Sequence, residues 1–400
     1  MKKKTLLEEL ASIETLKKSW ELLNKENEDS FGLSGISIKD YEKEIDDNLK
    51  KLNTEISEGK FQFSPTRAAI IKKDNGKYRP LQIPEIQDRI VLKSIALILE
   101  KELSSILSKS EGISFAYQRG KGVKESLLKM KSIYDSGFKV ILKADIINFF
   151  EEIKKDDLIE KSVLPNLKDD SINKLIKESL NQKLDGIKKI YYKYHDLFKN
   201  AGKGIPQGNP LSPLLSNLYM VEFDVFVKDK GYSLVRYADD FVVLFKSLDE
   251  AEKGYGVIKH YLEDKFSLKI HLLNTGDQGK TVIVEPHKSN LSFLGIYFDG
   301  NNLFPGSDKV DILKNIIRMI VKKNKECIDI KKEVESAIDK WIAIYSYLDI
   351  DRYFDRIDKF IFTLLNKKNL KKCRISSCSQ LASRRRRKQL KKKRFWKAAF

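Results

Sequence analysis

The sequence has few cysteines and no long apolar run. Its three cysteines, Cys327, Cys373 and Cys378, form an odd number without a CxxC pair, so the sequence predicts neither a disulfide framework nor a zinc site. No apolar run reaches the roughly 18 residues of a membrane span, which excludes that class of protein. The N-terminal sequence MKKKTLLEEL lacks the apolar core of a secretory signal. We therefore expect a cytoplasmic protein with no membrane partner.

Acidic residues are missing from residues 371–400, which contain thirteen Lys and Arg side chains. The net charge of +19 thus falls to +6 for the first 370 residues. Arginine near Phe395 and Trp396 suits phosphate contact and base stacking, so we predict that this basic tail binds nucleic acid; the alternative is a solvated run of charge. Because like charges repel, we expect the tail to stay mobile until RNA binds. The predicted contacts are Arg384, Arg385, Arg386, Arg387, Lys391 and Arg394.

The spacing of apolar residues predicts an α+β fold. Residues 1–60 and 86–108 have helical spacing, whereas residues 61–84 predict a β-hairpin with an Asp-Asn-Gly turn. A Lys-rich helical segment is expected over 151–200, and a unit of three helices over about 308–368. There are no internal repeats and no long Pro/Gly/Ser linker. The order of these elements favours a sheet with helices mainly on one face.

Two apolar strands end at aspartates. Residues 138–146, FKVILKADI, predict a buried strand that ends at Asp145, and residues 234–245, LVRYADDFVVLF, predict two strands joined at Asp239 and Asp240. A carboxylate removed from water without a partner costs several kcal/mol, so a cation is expected beside these residues unless the turn is simply exposed. If the strands are neighbours, three carboxylates meet at one sheet edge. Such oxygen ligands suit Mg²⁺ and two-metal phosphoryl transfer.

Five motifs, in order, resemble the palm motifs of reverse transcriptases of the group II intron-like lineage. They are ADIINFFEEI, GIPQGNPLSPLLSN, RYADDFVV, the Lys280-Thr281 segment and FLGIYF. The segment RAAIIKKDNGKYRPLQIPEIQDRIV resembles the fingers hairpin of that lineage, and WIAIYSYLDIDRYFDRIDKF resembles its thumb. The resemblance covers roughly residues 60–370. It implies a right-hand polymerase with fingers, a palm containing an antiparallel sheet, and a helical thumb.

The resemblance also implies the domain organisation. A helical N-terminal extension occupies residues 1–60, and a basic nucleic-acid-binding tail occupies 371–400. Fingers and palm together span 61–304, and the thumb spans 305–370. The fingers lie mainly in 61–120 and 151–204.

The resemblance assigns metal ligands residue by residue. Asp145 and Asp239 would bind two Mg²⁺ ions, for which Mn²⁺ could substitute, with the carbonyl of Ile146 assisting. Asp240 would be a supporting carboxylate, unless it is a simple turn residue. Lys280 would protonate the departing pyrophosphate, unless it is only a surface charge.

Four further residues would contact the incoming nucleotide. Lys73 and Arg79 would bind its triphosphate, unless they are solvated hairpin charges, and arginine suits bidentate phosphate contact. Phe150 would collide with a ribose 2′-hydroxyl and so select dNTPs; the alternative is core packing. Gln207 would lie against the nascent base pair, with neighbouring glycines allowing close approach of the backbone, unless it is only a loop amide.

The function expected from the resemblance is RNA-directed DNA polymerisation. The partners would be dNTPs, the DNA product and an RNA template, expected to be a dedicated structured noncoding RNA in bacterial antiphage defence; an oligomer is possible. We expect no endonuclease module after the thumb; the QGNPLSP loop differs from that of diversity-generating enzymes, and the retron VTG motif is absent. In layout the chain therefore resembles the stand-alone bacterial defence-associated reverse transcriptases. The alternatives are an intron maturase acting as an RNA-binding splicing factor, and an intron- or retroelement-encoded reverse transcriptase without a defence role. An RNA polymerase is disfavoured by Phe150 and YADD.

Overall fold

The computed structural model describes residues 4–73, 76–274, 279–323, 326–368, 370 and 372–387. The described chain forms two compact units. The first unit comprises residues 1–138, 142–274 and 279–282, and the second comprises 139–141 and 283–400, each within the described ranges. No helix in the described ranges is long and apolar enough to cross a membrane.

The strands are short and the helices are distributed along the whole chain. The strands are β1 (Thr66–Lys72), β2 (Tyr78–Ile83), β3 (Val140–Asp145), β4 (Leu184–Asp185), β5 (Ser233–Tyr237), β6 (Asp240–Phe245), β7 (Val282–Val284), β8 (Leu291–Phe293), β9 (Ile296–Phe298) and β10 (Leu303–Pro305). The α-helices are α1 (Leu6–Ala11), α2 (Ile13–Glu21), α3 (Ile38–Glu42), α4 (Ile45–Ser57), α5 (Ile86–Glu102), α6 (Ser104–Leu107), α7 (Val123–Asp135), α8 (Phe149–Glu152), α9 (Lys155–Asp157), α10 (Asn173–Ser179), α11 (Ser212–Tyr219), α12 (Val221–Asp229), α13 (Leu248–Tyr261), α14 (Ser307–Lys323), α15 (Cys327–Ile344) and α16 (Phe354–Lys367).

The first helices begin at side-chain caps. Thr5 and Glu8 form a capping box at the start of α1, and the Ser12 hydroxyl accepts a hydrogen bond from the Thr15 amide in α2. The apolar faces of α1, α2 and α4 are buried. Contacts with α5 complete this packing, including a 2.8 Å hydrogen bond between the hydroxyls of Ser19 and Ser94.

The predicted hairpin is formed by β1 and β2, which pair antiparallel from Arg67–Ile83 to Lys72–Tyr78. Two of its predicted turn residues, 74 and 75, lie outside the described ranges. The third strand of this small sheet is β4, which pairs parallel to β1. Strand β2, which carries Arg79, contacts the segment Tyr192–Phe198 that follows β4.

A four-stranded sheet has the order β5-β6-β3-β7. Strands β5 and β6 pair antiparallel from Ser233–Leu244 to Tyr237–Asp240, which leaves Ala238 and Asp239 as a two-residue turn. Helices α7, α12 and α13 pack against β5 or β6. The α+β fold with an antiparallel sheet, predicted from the sequence, is confirmed, and so is the adjacency of the two strands that carry the aspartates.

Residues 151–200 contain several helical segments, as predicted, but few of them are regular α-helix. The α-helices α9 and α10 lie within this range, together with π- or 3₁₀-helical segments at Leu158–Val163, Leu164–Asn166, Ile187–Lys189 and Tyr192–Phe198. The short strand β4 interrupts them, because it gains its backbone partners from β1 rather than from a local helix. Gly186, with a φ of +77°, provides the turn after β4.

The second unit contains an antiparallel sheet, β10-β9-β8, and the helices α14, α15 and α16. The apolar faces of α15 and α16 are largely buried, including Leu365 in the last turn of α16. Trp341 Nε1 donates to the Lys309 carbonyl (3.3 Å), and the Tyr353 hydroxyl donates to the Pro305 carbonyl (2.7 Å). These bonds join the helices to each other and to the sheet.

Cys327 and Cys373 form a disulfide, so the expectation that the cysteines form no disulfide is wrong. The two residues are 46 positions apart, and the fold brings their Cα atoms to 4.9 Å. No local spacing in the sequence indicates this pair, because the packing of the helices brings the two cysteines together. Cys378 is the remaining thiol; burial raises its pKa.

The expectation that the basic tail is unfolded without RNA is wrong for residues 372–387. Residues 378–387 form a helix, here called the tail helix, whose Leu381 and Ala382 are buried. The Ser376 amide donates to Glu335 (2.8 Å) and the Cys378 amide donates to Asp358 (3.0 Å). The acidic partners that the tail itself lacks are supplied by α15 and α16, which sequence composition alone does not reveal.

Candidate active site

One open cleft of about 990 Å³ in the first unit contains every residue predicted to bind metal or nucleotide. They come from the β1–β2 hairpin, the end of β3, helix α8, the loop before α11, the β5–β6 turn and the segment before β7. They are Lys73, Arg79, Asp145, Ile146, Phe150, Gln207, Asp239, Asp240 and Lys280. The fold therefore brings together residues as far apart in sequence as Lys73 and Lys280.

Asp145 is positioned by the end of β3. Three residues after the strand, Asn148 adopts a left-handed conformation (φ +50°), and helix α8 follows. The Ile147 amide donates to the Lys269 carbonyl (2.8 Å), which fixes the backbone beyond Ile146. The Asp145 carboxylate contacts the Lys280 ammonium, and its Oδ2 lies 3.7 Å from His271 Nε2.

The Asp239 turn is held by a buried arginine that sequence reasoning missed. Ala238 adopts φ +57°, a conformation that disfavours a residue with a Cβ atom. Arg236 Nη1 donates to the Ala238 carbonyl (3.1 Å), while Nε and Nη2 donate to the two carboxylate oxygens of Asp224 (2.7 and 2.6 Å). Neither side chain of this ion pair is exposed to solvent. The signal was present in LVRYADDFVV, since an arginine in a buried strand requires a partner as much as the aspartates do.

The ionised forms of Asp239 and Asp240 are destabilised by their surroundings. Burial, with repulsion from Asp145, raises the pKa of Asp239, and burial with repulsion from Asp145 and Asp239 raises the pKa of Asp240 to about 7. Positive charge on Lys280 opposes both shifts without cancelling them. The site thus holds more negative charge out of water than the side chains around it compensate.

The donor set suits a hard divalent cation, because uncompensated carboxylate oxygens are the ligands that Mg²⁺ binds. In the described part of the chain, however, no three Asp, Glu, His or Cys side chains already form a closed metal site. The Asp145 carboxylate is paired with the Lys280 ammonium.

Lys73 and Arg79 place positive charge at the same cleft. The Lys73 amide donates to the Lys77 carbonyl (2.7 Å), which fixes the backbone at the end of the hairpin. Burial, with repulsion from Arg79 and Lys280, lowers the pKa of Lys73. Three cationic groups near one cavity suit a polyanion such as a triphosphate.

The loop before α11 requires glycine in two places. A Cβ atom on Gly204 would lie 2.1 Å from the Phe150 carbonyl oxygen, and one on Gly208 would lie 2.6 Å from the Gln82 carbonyl oxygen. The loop is tied to the hairpin because the Gln82 amide donates to the Gln207 carbonyl (2.8 Å). The half-buried ring of Phe150 packs edge-on against buried Phe149 at 5.6 Å, so it lines the cleft from a fixed position.

The predicted tail contacts lie apart from these residues in sequence and belong to the second unit. Arg384, Arg386 and Arg387 are exposed and Arg385 is partly buried. Arg386 Nη2 lies 3.3 Å from Asp351. Lys391 and Arg394 lie outside the described residues.

A family model described as "Reverse transcriptase (RNA-dependent DNA polymerase)" matches residues 70–298. Protein YkfC of Escherichia coli K12 is 25% identical over 282 residues, which are 61% of this chain and 71% of that protein. Group II intron-encoded protein LtrA of Lactococcus lactis subsp. cremoris is 29% identical over 183 residues, 46% of this chain and only 28% of LtrA. Retron Ec83 reverse transcriptase of Escherichia coli is 24% identical over 262 residues, 62% of this chain and 76% of that protein.

Proposed function

Because the chain belongs to the family of reverse transcriptases, which are RNA-dependent DNA polymerases, we propose that it extends a 3′-hydroxyl with dNTPs on an RNA template by two-metal phosphoryl transfer. The enzyme class and the group II intron-like relationship predicted from the sequence are confirmed, and the α+β structure agrees with the right-hand polymerase fold. The observation that carries the mechanism is the meeting of Asp145, Asp239 and Asp240 in one cationic cleft.

The carboxylates would hold two Mg²⁺ ions, with Mn²⁺ as a substitute. Asp145 and Asp239 would be the shared ligands, the Ile146 carbonyl would assist, and Asp240 would support them. When bound, such ions activate the attacking oxygen and stabilise charge on the leaving one. The excess negative charge among the buried carboxylates supports this assignment.

The cationic residues would bind and orient the nucleotide. Arg79 and Lys73 would contact the triphosphate, since both line the cleft on the hairpin side. Gln207 would lie against the nascent base pair, where its backbone is already fixed to β2. The Lys280 ammonium contacts Asp145 in the structure. It would leave Asp145, contact the departing pyrophosphate and donate a proton to it.

Phe150→Ala is expected to raise the use of rNTPs relative to dNTPs by about 10- to 100-fold, because the ring would exclude the 2′-hydroxyl by collision. The measurement is kcat/KM for a matched rNTP and dNTP on a primed RNA template. Tyr117→Ala is the matched control, since Tyr117 is another aromatic residue of the same cleft. A Phe150→Ala variant that keeps its full preference for dNTPs would show that Phe150 is only a packing residue.

Six basic side chains of the tail would bind RNA phosphates: Arg384, Arg385, Arg386, Arg387, Lys391 and Arg394. Support comes from the exposure of three of the four described arginines and from the excess of positive charge. The folded part of the tail would present these side chains on one helix rather than on a free strand.

The RNA partner would be a dedicated structured noncoding RNA, and the role antiphage defence. This proposal rests on the resemblance to stand-alone bacterial enzymes. Sequencing RNA and DNA that co-purify with the protein from cells tests it, with one abundant RNA and its complementary DNA expected. A gene found between the ribozyme domains of a group II intron would favour the maturase or intron-encoded alternative instead.

A further inference from the structure

Four tyrosines form a chain of ring contacts on the surface of the first unit, here called the tyrosine patch. Its members are Tyr78, Tyr194, Tyr191 and Tyr192. Their ring centroids lie 4.5 Å apart from Tyr78 to Tyr194, 6.4 Å from Tyr194 to Tyr191 and 4.8 Å from Tyr191 to Tyr192. Tyr191 is 59% exposed and Tyr192 is 73% exposed. Single exposed aromatic residues are ordinary, whereas a contiguous exposed group indicates a binding surface.

The backbone beneath the patch is well anchored. Phe198 is buried, and β4 holds the start of the segment against β1. His195 Nε2 makes a 2.9 Å hydrogen bond with the Ile190 carbonyl, and the Tyr194 amide donates to the Tyr191 carbonyl at 2.9 Å. The two outer rings are thus exposed on a fixed support, so their exposure does not result from a loose loop.

Positive charge surrounds the patch. Lys193 Nζ lies 5.2 Å from the centroid of Tyr191 and 4.9 Å from that of Tyr194. Lys188, Lys189 and Lys199 are also exposed in this segment, where residues 187–199 contain four lysines and a single acidic residue. Aromatic faces among lysines match a nucleic acid, whose bases stack and whose phosphates carry negative charge.

The patch is continuous with the cleft. Tyr78 lines the cleft together with Asp196, Leu197 and Lys199 of the same segment. A duplex hides its base faces, so stacking on tyrosine requires unpaired nucleotides. In templated synthesis, the template ahead of the growing end is the unpaired strand that must approach the nucleotide site.

We propose that the tyrosine patch binds the unpaired bases of the RNA template as it enters the cleft, with Lys193 beside its phosphates. The inference rests on the proposed function, because it assigns a route to the template of that reaction. Tyr191 and Tyr192 stack on bases without reading their identity, since every base has an aromatic face.

The test compares two primer–templates, one with an unpaired RNA overhang of about ten nucleotides and one with a single unpaired nucleotide. Affinities are measured by fluorescence anisotropy without dNTPs or divalent metal. Tyr191→Ala with Tyr192→Ala is expected to weaken binding of the long overhang by about 10- to 100-fold and to leave the short one within about twofold. The double Phe variant should bind like the wild type, because phenylalanine keeps the ring face.

Three further comparisons separate stacking from other causes. An overhang of abasic nucleotides should reduce wild-type affinity to that of the double Ala variant. Phe362→Ala, which removes a ring that is 69% exposed on α16, should change nothing. Lys193→Ala should flatten the dependence of log K on log salt by about 0.7, whereas the Tyr variants should not.

The outcomes distinguish this inference from the proposed function. Equal affinity of the wild type and the double Ala variant for the long overhang would overturn it, even if the enzyme incorporates dNTPs normally. The inference is supported if the double Ala variant loses affinity for the long overhang and the wild type loses the same affinity when that overhang is abasic. This support would hold even if no polymerisation were detected. A loss that also appears with the single unpaired nucleotide would contradict it, because the patch would then contact the duplex.

Discussion

Asp239→Asn is expected to reduce dNTP incorporation on a primed RNA template by about 10³-fold or more, while RNA affinity stays unchanged. Losing a shared metal ligand removes stabilisation of both the attacking and the leaving oxygen, and a 10³-fold loss corresponds to about 4 kcal/mol at the transition state. Single-turnover extension rates across Mg²⁺ concentrations, beside RNA affinity by anisotropy, measure the two effects separately. Activity within about tenfold of the wild type would exclude Asp239 as a shared ligand.

Asp196→Asn is the matched control for this substitution. Asp196 is another of the carboxylate residues lining the same cleft, but it is exposed and lies on the segment of the tyrosine patch. Its removal should leave the extension rate within about threefold of the wild type, since a single exposed charge contributes little. A comparable loss in both variants would indicate a general effect of cleft charge rather than metal binding.

The same Asp239→Asn variant should be more stable than the wild type when EDTA is present. Burial and the neighbouring Asp145 raise the pKa of Asp239, so its ionised form opposes folding at neutral pH. This destabilisation is present above the folded-state pKa, shrinks as the pH falls through that pKa, and is lost below about pH 4, where the side chain becomes protonated in the unfolded state as well. Thermal unfolding at several pH values should therefore show a gain at pH 8 that shrinks in acid. A lower unfolding temperature at pH 8 would mean that the variant is damaged.

Arg236→Met is expected to destabilise the first unit by about 3–5 kcal/mol and to abolish activity, because it leaves Asp224 buried and unpaired. Combining it with Asp224→Leu should recover most of the stability, since apolar side chains often replace a buried ion pair without loss. The contacts from Arg236 Nη1 to the Ala238 carbonyl and to Asn217 Oδ1 are then still missing. We expect kcat of the double variant to remain about 10- to 100-fold low, and half-maximal activity to require more Mg²⁺, because the Asp239 turn is no longer held in place.

Chemical denaturation and Mg²⁺ titration of the extension rate separate positioning from stability. Ile56→Ala is the stability control, since Ile56 is buried in α4 and its truncation should cost about 2–5 kcal/mol without moving the turn. Its kcat should be that of the wild type under conditions where it is folded. If the stabilised double variant polymerises at the wild-type rate, Arg236 has only a structural role.

The aspartates of the cleft could be predicted from the sequence because each lies in a local pattern. An apolar strand ending at Asp145 and an apolar hairpin turning at Asp239 and Asp240 identify these positions without knowledge of distant contacts. The motifs around Phe150 and Gln207 are also short and continuous. The sequence therefore determined the strands, the turn, the enzyme class and the residues of the cleft.

The tertiary structure alone decided which residues are partners. Arg236 meets Asp224, Cys327 meets Cys373, and β4 pairs with β1, in each case through packing between different elements of the fold. The folding of residues 372–387 likewise depends on acidic residues of α15 and α16. A periodic pattern reports whether a residue is buried, because burial follows from its own polarity and spacing. It does not report the partner, because that depends on which distant element supplies the complementary charge, thiol or backbone group.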